Sequence, residues 1–252
     1  MAILATCLKM NIYNMRVLFC LSLLLATHCV QAQTDKADVL QNHLKNTVNH
    51  YRTSVAEKAY IFSGQEYYHN TGKLIGHRYA GVDAFLESNI WYEGKWYNKV
   101  PLKLDILHKE LITYTTNENF QLIIQQEKVD SFTLGNMLYW HVKPNENNKK
   151  ITEDFYEVLY KNKLTVLARR TKQIKENVSS GGVEKKIEQA DEYYLLQSGI
   201  YTEIKNRSSF LDLLGSQRST VSSYMNKQDI SFNSSTEKYI VEAIKYFEQL
   251  IN

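Results

Sequence analysis

Hydrophobic positions recur at helical spacing early in the chain, at strand spacing through its middle and at helical spacing again at its end. From Asp35 to Ala59, Leu40, Leu44, Val48, Tyr51 and Val55 return every three or four residues, with Thr34 or Asp35 available as N-cap. From about Gln65 to Ile204 the pattern becomes short runs of Tyr, Val, Ile, Thr and Trp separated by turn residues. Asn89–Glu93 and Lys95–Asn98 flank Gly94 as a hairpin, and Leu102, Leu104 and Ile106 alternate with Lys103 and Asp105. Glu110–Tyr114, Phe120–Gln125, Val129–Leu134 and Met137–Val142 continue the series. Phe155–Tyr160 with Lys163–Arg170, and Tyr193–Gln197 with Ile200–Ile204, read as two further hairpins. Connections this short require antiparallel neighbours. Ser179–Gly182 and its charged flanks read as a mobile loop, since the glycines lack the Gly-Lys-Ser/Thr ending of a phosphate cradle.

Helical spacing resumes after Asn206. Phe210, Leu211, Leu213 and Leu214 form a short helix stopped by Gly215, and Val221, Tyr224 and Met225 mark a second. Ser234 and Glu237 suggest a capping box for the last helix. Its stripe of Tyr239, Ile240, Ala243, Ile244, Phe247, Leu250 and Ile251 is expected to close the chain's own core rather than meet a membrane or partner. The fold class is α+β: an antiparallel β-meander of about ten strands, one N-terminal helix and about three C-terminal helices.

The segment before the first helix has a different character. Met15-Arg16 precedes an apolar run from Val17 to Ala26, and Val30-Gln31-Ala32 supplies a small-residue cleavage site. The run is too short to span a bilayer, which takes ~20 residues. The expected organisation is therefore a signal peptide over 1–32, a helix over 33–64, the meander over 65–205 and helices over 206–252 packed on the sheet as part of one mature domain. Cys7, Cys20 and Cys29 all precede the cut, leaving the mature chain without disulfides or Cys-ligated metal. His28 before Cys29 and Phe19 before Cys20 disfavour lipid attachment, so a periplasmic or secreted location is expected, with no transmembrane span in the mature chain.

The formal charge is +3, and Lys9 and Arg16 leave with the signal, so the mature chain is nearly neutral. A chain without a strong positive field is a poor nucleic-acid binder. Chemistry is sparse as well. His43 and His50 lie seven apart on the first helix, but no His-Glu-x-x-His pair occurs, and neither metal nor cofactor is expected. His77 and Asp83 with a serine make a triad only on paper, because no Gly-x-Ser-x-Gly elbow accompanies them. Asp83, Glu87, Glu93 and Asp105 share a region, yet read more simply as a solvated face than as glycosidase carboxylates.

The aromatic residues are more informative. Tyr67, Tyr68, Tyr79, Trp91, Tyr92, Trp96, Tyr97, Tyr139 and Trp140 crowd the first half of the sheet, all three tryptophans among them. Neighbours in a strand face opposite sides, so some of these rings fill a core while others are free to stack on a ligand. Trp91, Trp96, Tyr97 and Trp140 are the candidate binding residues, with Trp91 expected to be the more buried and Trp96 the more exposed of the hairpin pair.

Several of these segments resemble a family of uncharacterised exported proteins of Bacteroidota. They are the strand Lys95–Leu102, Leu104-Asp105-Ile106, Phe155–Tyr160, Tyr193–Leu196 and the closing helices from Ser208 to Leu250. The resemblance implies an envelope or secreted location and supplies no catalytic residue. The expected function is that of an exported, non-enzymatic binding or interaction protein whose partner is an envelope protein, a glycan or a lipid. By architectural analogy a curved sheet with an apolar concavity suits a lipid or lipoprotein carrier. The alternative is a secreted hydrolase acting on glycans or peptides, which requires a histidine or carboxylate pair in a cleft beside the aromatic cluster.

Overall fold

A computed structural model describes residues 60–69, 72–114, 120–179 and 182–251, together with His43, Leu44 and Thr47. The chain divides into units 1–58 and 59–252. In the first, His43, Leu44 and Thr47 are helical and exposed. The signal segment, its cleavage site and the rest of the predicted first helix lie outside the described residues. The sheet and the C-terminal helices belong to the second unit.

Among the described residues, eleven strands form one antiparallel sheet: β1 (Gln65–Glu66), β2 (Leu86–Tyr92), β3 (Lys95–Asp105), β4 (Glu110–Tyr114), β5 (Gln121–Ile123), β6 (Val129–Leu134), β7 (Met137–Val142), β8 (Asp154–Lys161), β9 (Thr165–Ser179), β10 (Gly182–Gln197) and β11 (Ile200–Ile204). Their order is β1-β5-β4-β3-β2-β6-β7-β8-β9-β10-β11. The meander is therefore interrupted twice, where β1 pairs with β5 instead of β2 and where the chain leaves β5 and returns to pair β6 with β2. Three α-helices follow, α1 (Arg207–Asp212), α2 (Arg218–Lys227) and α3 (Thr236–Leu250). The α+β class stands, and the helices of this unit are C-terminal.

Local chemistry explains the turns. Glu93 and Gly94 have φ of 48° and 72°, and Ser198 and Gly199 have 49° and 79°. Two consecutive left-handed residues are what a tight hairpin matching the strand twist demands. Gly64 serves another purpose: a Cβ there would meet the Ile123 carbonyl oxygen at 1.7 Å, so only glycine lets the Tyr60–Phe62 turn lie against β5.

The structure corrects three sequence expectations. Lys95–Asn98 and Leu102–Asp105 of the expected Leu102–Leu107 run are parts of one strand, β3, which ends before Ile106 and is carried past a bulge opposite Ser88–Ile90 by Lys99, whose φ is 59°. The bulge resets the side-chain alternation, which is why the run looked interrupted. The supposed loop flanks around Ser179 are the distal halves of β9 and β10, paired in register from Ser179↔Gly182 to Thr165↔Leu196. Charged residues on both faces hid the period-two signal, while the Lys185–Glu176 and Lys175–Glu188 pairs support the ladder across strands. The Ser234–Glu237 box does not form. Ser235 is the N-cap without a side-chain bond, Glu237 pairs with Arg170, and the reciprocal box belongs to Asn206 and Ser209 on α1.

The sheet rolls up on itself. Lys172 of β9 donates its backbone N–H to the Ile106 carbonyl at 3.2 Å, although Ile106 follows β3, five strand positions away. Residues 75–80 run along this seam. Ala80 N–H donates to Leu104 and Ile106 N–H to Arg78, while Ile75 exchanges bonds with Lys185 and Ile187. Lys172 Nζ donates to the His77 and Tyr79 carbonyls at 2.9 and 2.7 Å, and burial holds its ammonium below the usual lysine range.

Three cores result. The curl encloses Ile90, Tyr92, Leu102, Leu104, Leu111, Phe132, Leu134, Tyr139 and Phe155. The helices cover β8–β11 through Phe210, Leu214, Val221, Met225 and the α3 stripe of Tyr239, Ile240, Ala243, Ile244 and Phe247. The opposite face of β7–β9 carries Val142, Tyr156 and Leu167 with Ile151. Asn148 anchors the 143–152 loop there, donating to the Gly199 carbonyl and accepting from Tyr201 N–H.

Candidate functional site: a tryptophan row and a histidine–carboxylate pair

Register partners on adjacent antiparallel strands share a face. Following the ladder from β3 to β8, Trp96 pairs with Trp91, Trp91 with Ser131, Ser131 with Trp140, and Trp140 with Tyr156. The three tryptophans thus form one transverse row. Ile90, Phe132 and Tyr139 point the other way into the curl, so the row lies on its outer face. Trp96 is 52% exposed, and Trp91 is half-buried against it edge to face at 5.3 Å. Trp140 is half-buried beneath Lys161, whose Nζ sits 4.8 Å from its ring centre. At ~4.8 Å per strand, Trp91 and Trp140 stand roughly 10 Å apart on the backbone, with the small Ser131 between them. Thr133, two residues along β6, adds a hydroxyl to the same face and accepts Asn89 N–H. The row's open part ends at Tyr156, whose phenol burial pushes up to about 12.

Tyr97 departs from this group. It turns inward from β3, packs on the curl's core and meets Tyr92 edge to face at 6.2 Å. Of the four candidate residues, the fold brings Trp91, Trp96 and Trp140 together and places Tyr97 on the opposite face.

A second constellation lies at the far end of β3. Asp105 is fully buried, its Oδ1 accepting the Leu107 and His108 N–H groups at 2.9 Å each. Its Oδ2 accepts the Tyr67 hydroxyl at 2.6 Å and lies 2.8 Å from His108 Nδ1. The His108 ring stacks on His69 at 3.8 Å, and His69 Nε2 lies 2.7 Å from Glu110 Oε2. Burial first, and then the Asp105 carboxylate, drive the Tyr67 phenol well above the usual tyrosine range. Two carboxylate-oriented imidazoles are suited in principle to proton transfer. Here they also join β1 and its following segment to the β3–β4 turn.

The other sequence-level combinations come apart. His77 Nδ1 accepts Tyr79 N–H, whereas Asp83 pairs with Lys103 at 3.2 Å. Glu93 pairs with Lys128, and Glu87 faces solvent. No group of three or more His, Cys, Asp or Glu suited to a metal ion occurs among the described residues. None of their helices is long and apolar enough to cross a membrane.

Ser131, Lys161 and the His69–Glu110 partnership escaped sequence reasoning, since each joins the site through register or a long-range return of the chain. Comparison with protein-family models, curated proteins and solved structures finds no match.

Proposed function

We propose that this chain is an exported, non-enzymatic binding protein that recognises a neutral glycan across the outer face of its curled sheet. The observation that carries the reading is the row Trp96–Trp91–Ser131–Trp140. Exposed indole faces offer apolar, polarisable surface to the C–H faces of sugar rings. The interruption at Ser131 leaves room over a hydroxyl, and the spacing of the flanking tryptophans is about that of two linked pyranose rings. Near-neutral charge suits an uncharged polymer better than a polyanion.

Two observations favour this over the other expected readings. A lipid carrier needs a hollow concavity, whereas the inside of this curl is occupied by buried Ile90, Tyr92, Phe132, Tyr139 and Phe155. A glycan hydrolase needs acid–base groups beside its stacking platform. The Asp105–His108 pair lies at the other end of β3 from Trp96, roughly 30 Å away at ~3.3 Å per residue.

Affinity electrophoresis of the mature protein through native gels containing soluble neutral polysaccharides tests the proposal. Retardation by at least one β-glucan, xylan or mannan, abolished by Trp91→Ala and by Trp140→Ala, is the expected result. Unretarded migration throughout such a panel, or retardation that survives both substitutions, would overturn it.

A further inference from the structure

Away from the tryptophan row, the helical segment contains a cavity of ≈ 320 Å³. Ile230 and Phe232 contribute apolar surface over the buried Met225 and Tyr239, and Arg207 and Asp229 contribute opposite charges. Small-molecule sites run from ~300 to ~1,000 Å³. This volume suits a molecule of amino-acid size.

The charges in it are not spent on each other. Arg207 Nε donates to the Tyr239 hydroxyl at 3.1 Å, and Nη2 donates to Ser222 Oγ at 2.9 Å and Asn226 Oδ1 at 3.2 Å. Its carbon centre lies 5.8 Å from the Tyr239 ring centre. All three acceptors are neutral, so the guanidinium is firmly oriented yet has no carboxylate partner among the described residues. Such a group is a ready site for a carboxylate. Asp229 likewise makes no ion pair among the described residues. It follows the C-terminal end of α2 in a left-handed conformation (φ 53°), its N–H donating to the Asn226 carbonyl. The carbonyl end of a helix carries partial negative charge, which adds to that of Asp229 and favours an ammonium group there.

We infer that this cavity binds a free α-amino acid with an apolar side chain. The carboxylate meets Arg207, the ammonium meets Asp229 and the end of α2, and the side chain rests on Ile230 and Phe232. This inference is independent of the glycan reading, because it uses different residues, a different element and a different ligand class.

Calorimetric titration of the mature protein with L-leucine, N-acetyl-L-leucine and L-leucinamide tests it. Each blocked compound keeps the side chain and loses one charge. Leucine should bind, and both derivatives should bind at least tenfold more weakly, with a matching ligand-dependent rise in Tm for leucine alone. Asp229→Asn puts an amide that tolerates the left-handed conformation at an exposed position, so it should melt like the parent. It should also weaken leucine binding about tenfold while leaving N-acetyl-leucine unchanged. No heat and no Tm shift with leucine, or equal binding of leucine and its derivatives, would overturn the inference. The comparison of ligands on the unaltered protein stands even if the variant fails to fold.

Discussion

The two halves of this sheet treat their aromatic residues in opposite ways. From β8 to β11 the helices cover one face, and the core of Tyr156 and Leu167, joined by Ile151 of the 143–152 loop, occupies much of the other. Rings such as Tyr156, Phe210 and Tyr239 are enclosed there. From β3 to β7 one face is sealed inside the curl while the other carries Trp96, Trp91 and, where it meets the third core, Trp140, with no helix over it among the described residues. The same kind of residue is ballast in one half and available surface in the other. What separates them is whether a second layer exists, and tryptophan content by itself says nothing about that.

The largest effect expected of this comparison lies in the covered half. Phe210→Ala empties a fully buried site between α1 and α3 and should cost ~3–5 kcal/mol, read from denaturant unfolding. A cost below ~1 kcal/mol would mean that the helices are not integral to the sheet.

Next comes the tie between α3 and the β8–β9 turn. Glu248, only 3% exposed, accepts from the Tyr160 hydroxyl, Asn162 Nδ2 and Leu164 N–H at 2.7, 2.8 and 2.7 Å. Glu248→Ala strands these donors and should destabilise by roughly 2–3 kcal/mol, with Glu248→Gln costing less because it keeps an acceptor. Equal, negligible changes for both variants in the same unfolding assay would break this part of the account.

Alkaline titration sharpens the contrast further. Burial raises the phenols of Tyr156, Tyr139 and Tyr194 above the ordinary ~10, that of Tyr156 to about 12. A raised folded-state pKa means that the native state retains its protons longer than the unfolded chain does. The associated stability is therefore complete below pH ~10 and is lost as pH climbs towards 12. Tyrosinate absorbance should show part of the tyrosine population ionising only together with loss of the fold. A single smooth titration with folding intact would contradict it.

The sequence made the strands legible where short runs of β-favouring residues lie between turn residues. Met137–Val142 and Val129–Leu134 appear with the expected bounds, although neither alternates strictly. Legibility failed where both faces share one character. In the distal β9–β10 arm the paired Ile174–Ile187 and Val178–Val183 share their face with charged residues and are mostly exposed, so its period of two is masked. Near Asp105 the alternation of Leu102, Leu104 and Ile106 is legible, but the burial of Lys103 and Asp105 on the other face is not. The tryptophans could be nominated from composition and alternation, and Tyr97 could be placed opposite Trp96. Their alignment across β3, β2 and β7 could not be read, because it depends on β6 returning to β2 after the excursion through β3, β4 and β5. The Asp105–His108 spacing is local and visible in retrospect. The His69 stacking that completes it joins distant segments and is a product of the fold.

The smallest stability effect is expected in the open half. Trp96→Ala should change the unfolding free energy by less than ~1 kcal/mol, since its ring is more than half exposed. A loss of about 3 kcal/mol, the scale of a core truncation, would move Trp96 into the core class and remove the platform.

The central claim, that the open tryptophan row is a ring-stacking surface, is tested most directly by iodide quenching of variants retaining one tryptophan each, with and without a saturating oligosaccharide from a polysaccharide that retards the protein. The account predicts that Trp96 is quenched most strongly in the free protein, Trp91 and Trp140 less so, and that the sugar shields all three. Equal strong protection of all three before any sugar is added, or quenching unchanged by the sugar, would contradict it.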